Sequence, residues 1–350
     1  MKKIFIIIAL TVALLSCGNS TQKKSNKKIG LTGAGATFPL PFYNLAFKTY
    51  NKSQGTLVTY GGIGSGGGIR SLKDKIVDFG ASDAYLSDKK MAQMPFPVVH
   101  VPTCMGAVVV AYNIEGIGEL HLTPEVLSDI FLGNITEWND KKIADINTNI
   151  KLPELAITVV YRSDGSGTTY VFSDYLSKIS NDWKEKVGCA KSLRWPTGIA
   201  AKGNPGVAGT IAQTKGAIGY IGSEYAFSLN IPVAVLQNRA GNYIKPSLES
   251  ISAAASAEIP ADTRVMLTNS PAKDAYPIAC FTWIVLYKEQ AYEGRKIEQA
   301  QATIKLLKWM LEDTAQNLTK KVHYAPLPVA AKENAKAILE SITFEGKALK

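Results

Sequence analysis

The chain has 350 residues, with 39 Lys+Arg against 29 Asp+Glu and a formal net charge of +10. The surplus is concentrated at one end: residues 1–28 carry Lys2, Lys3, Lys23, Lys24, Lys27 and Lys28 and no acid, and the rest of the chain holds 33 basic and 29 acidic side chains. A near-neutral body weakens a nucleic-acid reading, because such proteins gather basic residues on one face of the folded part, and a hydrophobic content of 46 % with 19 % charged residues excludes a disordered chain.

Residues 1–16, MKKIFIIIALTVALLS, place two lysines before an apolar run from Ile4 to Leu15. That run has the length of a secretory signal and is too short to span a bilayer comfortably. Leu14-Leu15-Ser16-Cys17 resembles a bacterial lipobox, with Cys17 as the lipidated first residue of the mature protein; an ordinary secretory signal with an incidental cysteine is the alternative. Residues 17–28 then read as the lipidated Cys and a polar tether, whose lysines suit anionic headgroups or equally a plain soluble linker. The localisation expected is export, with a lipid anchor facing the periplasm or cell surface. Cys104, Cys189 and Cys280 show no C-x-x-C spacing, and His100, His121 and His323 show none of the metal-binding spacings, so no metal site and no histidine base is expected. Cys104 and Cys280 lie in apolar runs and read as buried small hydrophobes.

Elements alternate from there. Residues 29–38 run from a strand into a glycine turn, and Pro39 to Tyr50 is a helix with proline at its start. Thr56 to Tyr60 is a strand, Gly61 to Gly68 a glycine turn, Ile69 to Lys75 a short helix and Ile76 to Ala81 a strand. Val98 to Ala111 contains a long β-branched run. Ile157 to Tyr161 is a strand that leads through RSDGSGT into a helix over Thr169 to Ile179. Ala217 to Ile221 and Phe281 to Tyr287 are strands, and Lys296 to Glu312 and Ala330 to Ser341 are helices. The alternation predicts an α/β class with mostly parallel sheets, and the length predicts two domains.

Three of these strand-to-helix turns share one chemistry: Gly33-Ala34-Gly35-Ala36-Thr37-Phe38, Gly61 to Gly68, and Arg162-Ser163-Asp164-Gly165-Ser166-Gly167-Thr168. Glycines allow close backbone approach, a Ser or Thr stands near each helix start, and helix N-termini present unpaired N–H groups with partial positive charge. Each turn alone also suits simple capping; three together point to a small anion held by neutral donors, with Arg162 as the charged contact. A rival is a dinucleotide-binding enzyme, since Gly62, Gly64 and Gly67 fit G-x-G-x-x-G and Asp83 follows. Export and the two unexplained turns oppose it. No lysine follows the glycines, so a P-loop is not supported, and Gly165-Ser166-Gly167 is not a hydrolase elbow.

Leu31 to Pro39, Gly62-Ile63-Gly64-Ser65, Val77 to Asp83 and Arg162 to Thr168, in this order, resemble the phosphate-binding proteins of Pst-type ABC transporters, and the similarity continues through Ile130 to Gly133, Trp138 and Gly216 to Tyr220. The resemblance implies a class II periplasmic-binding-protein fold: two α/β lobes, two hinge crossings and a ligand cleft between them. Lobe I would be 29–104 plus 269–350 and lobe II 105–268. It implies inorganic phosphate as ligand, bound by Thr37, Phe38, Ser65, Asp83, Arg162, Ser166, Gly167 and Thr168, with Asp164 steadying Arg162. It implies no cofactor and no catalysis, a monomer, and delivery to a membrane permease with a cytoplasmic ATPase. A binding protein for another oxyanion (sulfate, molybdate or a phosphate ester) is the alternative. Asp83 would be the selective element: protonated phosphate can donate to a carboxylate, and fully ionised sulfate meets it as an unpaired, repelling acceptor. The chain departs from relatives at Gly66, where a second serine can stand.

Overall fold

The computed structural model describes residues 29–256 and 258–349. The proposed signal, Cys17 and the tether lie outside the described residues. Among the described residues no helix is long and apolar enough to cross a membrane.

The elements that build the site are, in chain order, β1 (Gly30–Gly35), α1 (Leu40–Gln54), β2 (Leu57–Gly62), α2 (Ser65–Lys73), β3 (Phe79–Ser82), β4 (Val98–Tyr112), β5 (Thr158–Arg162), α3 (Gly167–Ile179), β6 (Ile199–Ala201), α4 (Gly203–Gln213), β7 (Ala217–Gly222), β8 (Ala279–Tyr287), α5 (Ile297–Met310) and α6 (Val329–Glu340). The eight strands form one curled sheet in the order β2-β1-β3-β8-β4-β7-β5-β6. β1 pairs in parallel with β2 and β3, and β5 pairs in parallel with β6 and β7. The junctions between these two ends are antiparallel.

That middle corrects the expectation of mostly parallel sheets. β4 leaves the first half and enters the second: residues 98–107 pair with β8 and 108–112 with β7. β8 brings the chain back alongside it, so the two must run in opposite directions. Both strands are buried on both faces, which is why their sequences are largely apolar, broken by His100, Pro102 and Thr103 in β4 and by Thr282 in β8. Their ladder shifts register between Thr282 and Trp283, opposite Pro102 and Thr103. Proline has no N–H to give a ladder, and a bulge there turns the neighbouring side chains aside.

α1 illustrates how the helices attach. Phe42, Tyr43, Ala46, Phe47 and Tyr50 share its buried face, and Gly55, at φ 72°, ends it in the left-handed conformation. The helix after β2 starts earlier than expected, at Ser65 instead of Ile69, so Gly66, Gly67 and Gly68 are helical residues. They serve close packing. A Cβ on Gly68 would meet Gly35 Cα at 2.4 Å and Ala34 O at 2.5 Å, so only glycine lets α2 sit this near β1. Cys104, Cys189 and Cys280 are all free thiols, and Cys104 and Cys280 are buried in β4 and β8.

Candidate functional site

The three turns converge where the two halves of the sheet face each other. From the first half, α1 starts just after Thr37 and Phe38, α2 starts on Ser65, and β3 ends immediately before Asp83. From the second, β5 ends on Arg162 and α3 starts after its cap, Ser166. Thr37, Phe38, Ser65, Asp83, Arg162, Ser166 and Thr168 are all buried, at 5 % exposure or less.

The halves are in direct contact. Gly66 N donates to Gly165 O at 2.8 Å, and Tyr225 Oη donates to Thr37 O at 2.6 Å. Gly64, at φ 83°, faces Asp164 so closely that a Cβ would lie 2.4 Å from Asp164 Oδ2. This answers the dinucleotide reading in steric terms: the space before Gly64 and Gly66, which a pyrophosphate would need, is filled by the turn Asp164–Gly165.

The second half carries the fixed positive charge. Arg162 Nε and Nη2 donate to Asp164 Oδ1 and Oδ2 at 2.7 and 2.5 Å, a forked pair that fixes the guanidinium plane. Asp164 also accepts from Gly203 N at 2.9 Å. Burial opposes its ionisation, but the Arg162 pair outweighs that and holds the carboxyl below its ordinary range. Arg162 Nη1 donates to Thr168 Oγ1 at 3.3 Å. Ser166 Oγ caps α3 by accepting from Thr169 N at 3.0 Å. Because this hydroxyl accepts, its own proton can point to another partner. Gly167 and Thr168 occupy the first turn, where N–H groups have no carbonyl within the helix.

The first half contributes neutral donors and one acid. Ser65 Oγ lies 3.4 Å from Asp83 N, which donates to it. Thr282, on the returning strand, donates through Oγ1 to Asp83 Oδ1 at 2.7 Å. Its own carbonyl accepts from Thr103 Oγ1 at 3.1 Å, across the bulge. Burial pushes the Asp83 carboxyl up to about 6, against the opposing pull of the Thr282 bond and of Arg162 and Lys191. The Cβ position of Gly167 lies 2.4 Å from Ser65 Oγ and 2.6 Å from Asp83 Oδ2, so α3 begins against these two groups and only glycine fits.

Two residues escaped the sequence reading. Asn204, fully buried at the start of α4, donates through Nδ2 to Thr37 Oγ1 at 3.0 Å and to Thr168 Oγ1 at 3.1 Å, and its Oδ1 accepts from Gly222 N at 3.0 Å. It therefore spans both halves and fills the acceptor side of both threonine hydroxyls, leaving their protons to point elsewhere. The signal was present: Lys202-Gly203-Asn204-Pro205 is a fourth glycine-and-polar turn between a strand and a helix. The other is Lys191, whose Nζ donates to Ser82 Oγ at 3.0 Å across the same interface. Nothing local in the sequence marks it.

A fold with two half-sheets joined through one strand shared by both, β4, and with buried donors collected between them, defines a periplasmic-type binding protein. A model of the PBP superfamily domain matches residues 19–314. A phosphate-binding protein PstS from Xylella fastidiosa (strain 9a5c) is 40 % identical over 319 residues, covering 89 % of this chain and 86 % of its own. One from Pasteurella multocida (strain Pm70) is 40 % identical over 343 residues, covering 96 % and 98 %. The solved structure of PfluDING, a high-affinity periplasmic phosphate-binding protein with phosphate bound, aligns with TM-score 0.72 at 21 % identity, covering 88 % of this chain and 93 % of its own. At that identity the likeness concerns the fold. The chain belongs to the PBP superfamily and, within it, to the family of PstS phosphate-binding proteins.

Proposed function

We propose that this chain binds inorganic phosphate between its two lobes and delivers it to the membrane permease of an ABC transporter driven by a cytoplasmic ATPase. The observation that carries this reading is the buried meeting of Thr37, Ser65 and Asp83 from one half with Arg162, Ser166 and Thr168 from the other. Thr37 and Thr168 would donate through hydroxyls whose lone pairs Asn204 already engages. Ser65 and Ser166 would add hydroxyl donors, and Phe38, Gly167 and Thr168 their backbone N–H groups. Arg162, held flat by Asp164, would face two phosphate oxygens. Asp83 would accept the hydroxyl proton of mono- or dibasic phosphate. In a closed, water-poor cleft each of these bonds gains strength.

The lobes proposed are 29–104 with 269–350, and 105–268. The pairing switch within β4, between Ala107 and Val108, supports a first crossing close to that limit. The role is transport, without catalysis and as a monomer. Residues 1–16 act as an export signal, Cys17 carries the lipid, and the lysines of the tether sit beside the membrane.

Calorimetric titration of the purified, ligand-stripped chain with phosphate and with sulfate tests the reading. The expected result is phosphate binding that a large excess of sulfate does not displace. Tight sulfate binding with no phosphate binding would overturn it.

A further inference from the structure

A second cation stands beside this site. The segment between the short helix Asn181–Lys186 and β6 carries Lys191. Its main chain is fixed to the second half, because Lys191 O accepts from Ser166 N at 2.8 Å at the very start of α3. Its side chain crosses to the first half and donates to Ser82 Oγ, the residue immediately before Asp83, at 3.0 Å. Ser82 Oγ is itself tied to its own turn, accepting from Ala84 N at 3.2 Å.

The surroundings explain why an ammonium group is tolerated there. The charges that act on it are Asp83, which favours the ammonium, and Lys90, which opposes it; Arg162 acts on the same Asp83 carboxylate. A cavity of about 510 Å³ opens beside it between the halves, lined among others by Ile69, Lys73, Tyr85, Lys90 and Tyr170. No carboxylate is among the described residues that line it. Lys191 therefore has no anionic neighbour on the cavity side, and Asp83 is its counter-charge. Burial lowers the amine to about 8, with Asp83 opposing and Lys90 assisting, so it is charged at neutral pH.

We propose that Lys191 is a specificity-determining residue of the oxyanion site: when the halves close, it brings a positive charge to the Ser82–Asp83 turn and so keeps Asp83 a hydrogen-bond acceptor. The physical need is clear. Asp83 discriminates between a protonated and a fully ionised anion only while it is itself ionised. A buried carboxylate beside an incoming anion is driven toward its neutral form by desolvation and by like charge. A protonated Asp83 becomes a donor and stops penalising sulfate. Arg162 is committed to Asp164 and to the ligand, whereas among the described residues Asp83 is the carboxylate that acts on the Lys191 ammonium. In the open form its bond to Ser82 breaks and the charge returns to solvent, so its influence is confined to the closed, ligand-holding state. Lys191 acts through Asp83 and is in that sense a positioning residue.

The inference rests on the phosphate-binding reading, and its test separates the two. Lys191→Met and Lys191→Arg are titrated with inorganic phosphate and with sulfate between pH 5 and pH 8. In Lys191→Met the phosphate-to-sulfate affinity ratio should fall about tenfold at neutral pH, and the pH at which discrimination is lost should rise by about one unit, the tenfold equivalent. Lys191→Arg should retain both properties. A Lys191→Met protein that binds both anions more weakly by the same factor, with an unchanged ratio and pH profile, reveals a mechanical latch and overturns the inference while leaving phosphate binding intact. Should Lys191→Met fail to fold, Ser82→Ala, which removes the anchor and keeps the lysine, serves the same test: a lowered ratio supports the inference and an unchanged one overturns it. Absence of phosphate binding by the unaltered chain overturns the parent reading and this inference together.

Discussion

The two halves of the cleft bring different chemistry to one place. The second half carries Arg162 in a forked pair with Asp164, the capped start of α3 and Lys191. The first half supplies Thr37, Phe38, Ser65 and an acid, Asp83, held by Ser65 and Thr282. On the proposed reading attraction and discrimination are thus housed on separate halves. An anion would dock first on the half that carries Arg162, and closure would then expose it to the Asp83 carboxylate.

The largest effect should come from the attractive half. Arg162→Ala removes the charged contact and strands Asp164, and phosphate affinity should drop by about 3 kcal/mol or more, over a hundredfold. Calorimetry reads this directly, and a loss below threefold would dissolve the division of labour. Asp83→Asn strikes the other half. Here the phosphate-over-sulfate preference should narrow by about 2 kcal/mol while phosphate still binds. Full retention of the preference in paired titrations would remove Asp83 from its role.

A pH experiment sharpens the contrast without mutation. The closed-state carboxyl of Asp83 is raised to about 6 against an ordinary 3.8. A raised pKa means that the closed form binds the proton more tightly than a solvated, open one. Closure is therefore favoured in acid, and that advantage is lost as pH rises through 6. Between pH 7.5 and pH 5 the ligand-free closed state should gain about 1.4 kcal/mol. Small-angle scattering of the stripped protein should show a smaller radius of gyration at pH 5, and Asp83→Asn should abolish the change. The smallest effect belongs to the shared support: Asn204→Ala frees the hydroxyls of Thr37 and Thr168 from their fixed rotors and should weaken phosphate binding by about 1 kcal/mol, near fivefold, with the selectivity ratio unchanged. A shift in that ratio would show that Asn204 also shapes discrimination.

Much of this was legible in the sequence because anion-binding turns have a local grammar. Glycine for close approach and Ser or Thr at a helix start stand next to each other in the chain, and the three turns built this way are the ones the fold brings together. What stayed hidden depends on distant segments. Gly66 to Gly68 read as a turn because glycine commonly serves turns; their use inside α2 is set by β1 lying against it. The strand expected over Ile76 to Ala81 begins only at Phe79, since Asp78 is drawn to Thr32 N and to Arg295, far along the chain. Antiparallel pairing at the centre follows from the path of the chain, which periodicity does not record. Asn204 and Lys191 acquire their partners only when the halves meet, and Asp83 stood out through the family resemblance more than through its neighbours in sequence.

β4 is one unbroken strand that belongs to both halves. It works as the spine of a book. Pages bound on a spine can turn, but they cannot slide past each other without tearing the ladder of hydrogen bonds that binds them. On the proposed reading, motion between the halves would thereby be limited to twist and bend along one line, and the gap would grow with distance from it. The ladder that β4 forms with β8 is itself interrupted once, at Pro102 and Thr103 opposite Thr282, a few residues before the switch to the second half. Thr282 also holds Asp83, so the acid proposed as the selective group hangs from the strand at that interruption.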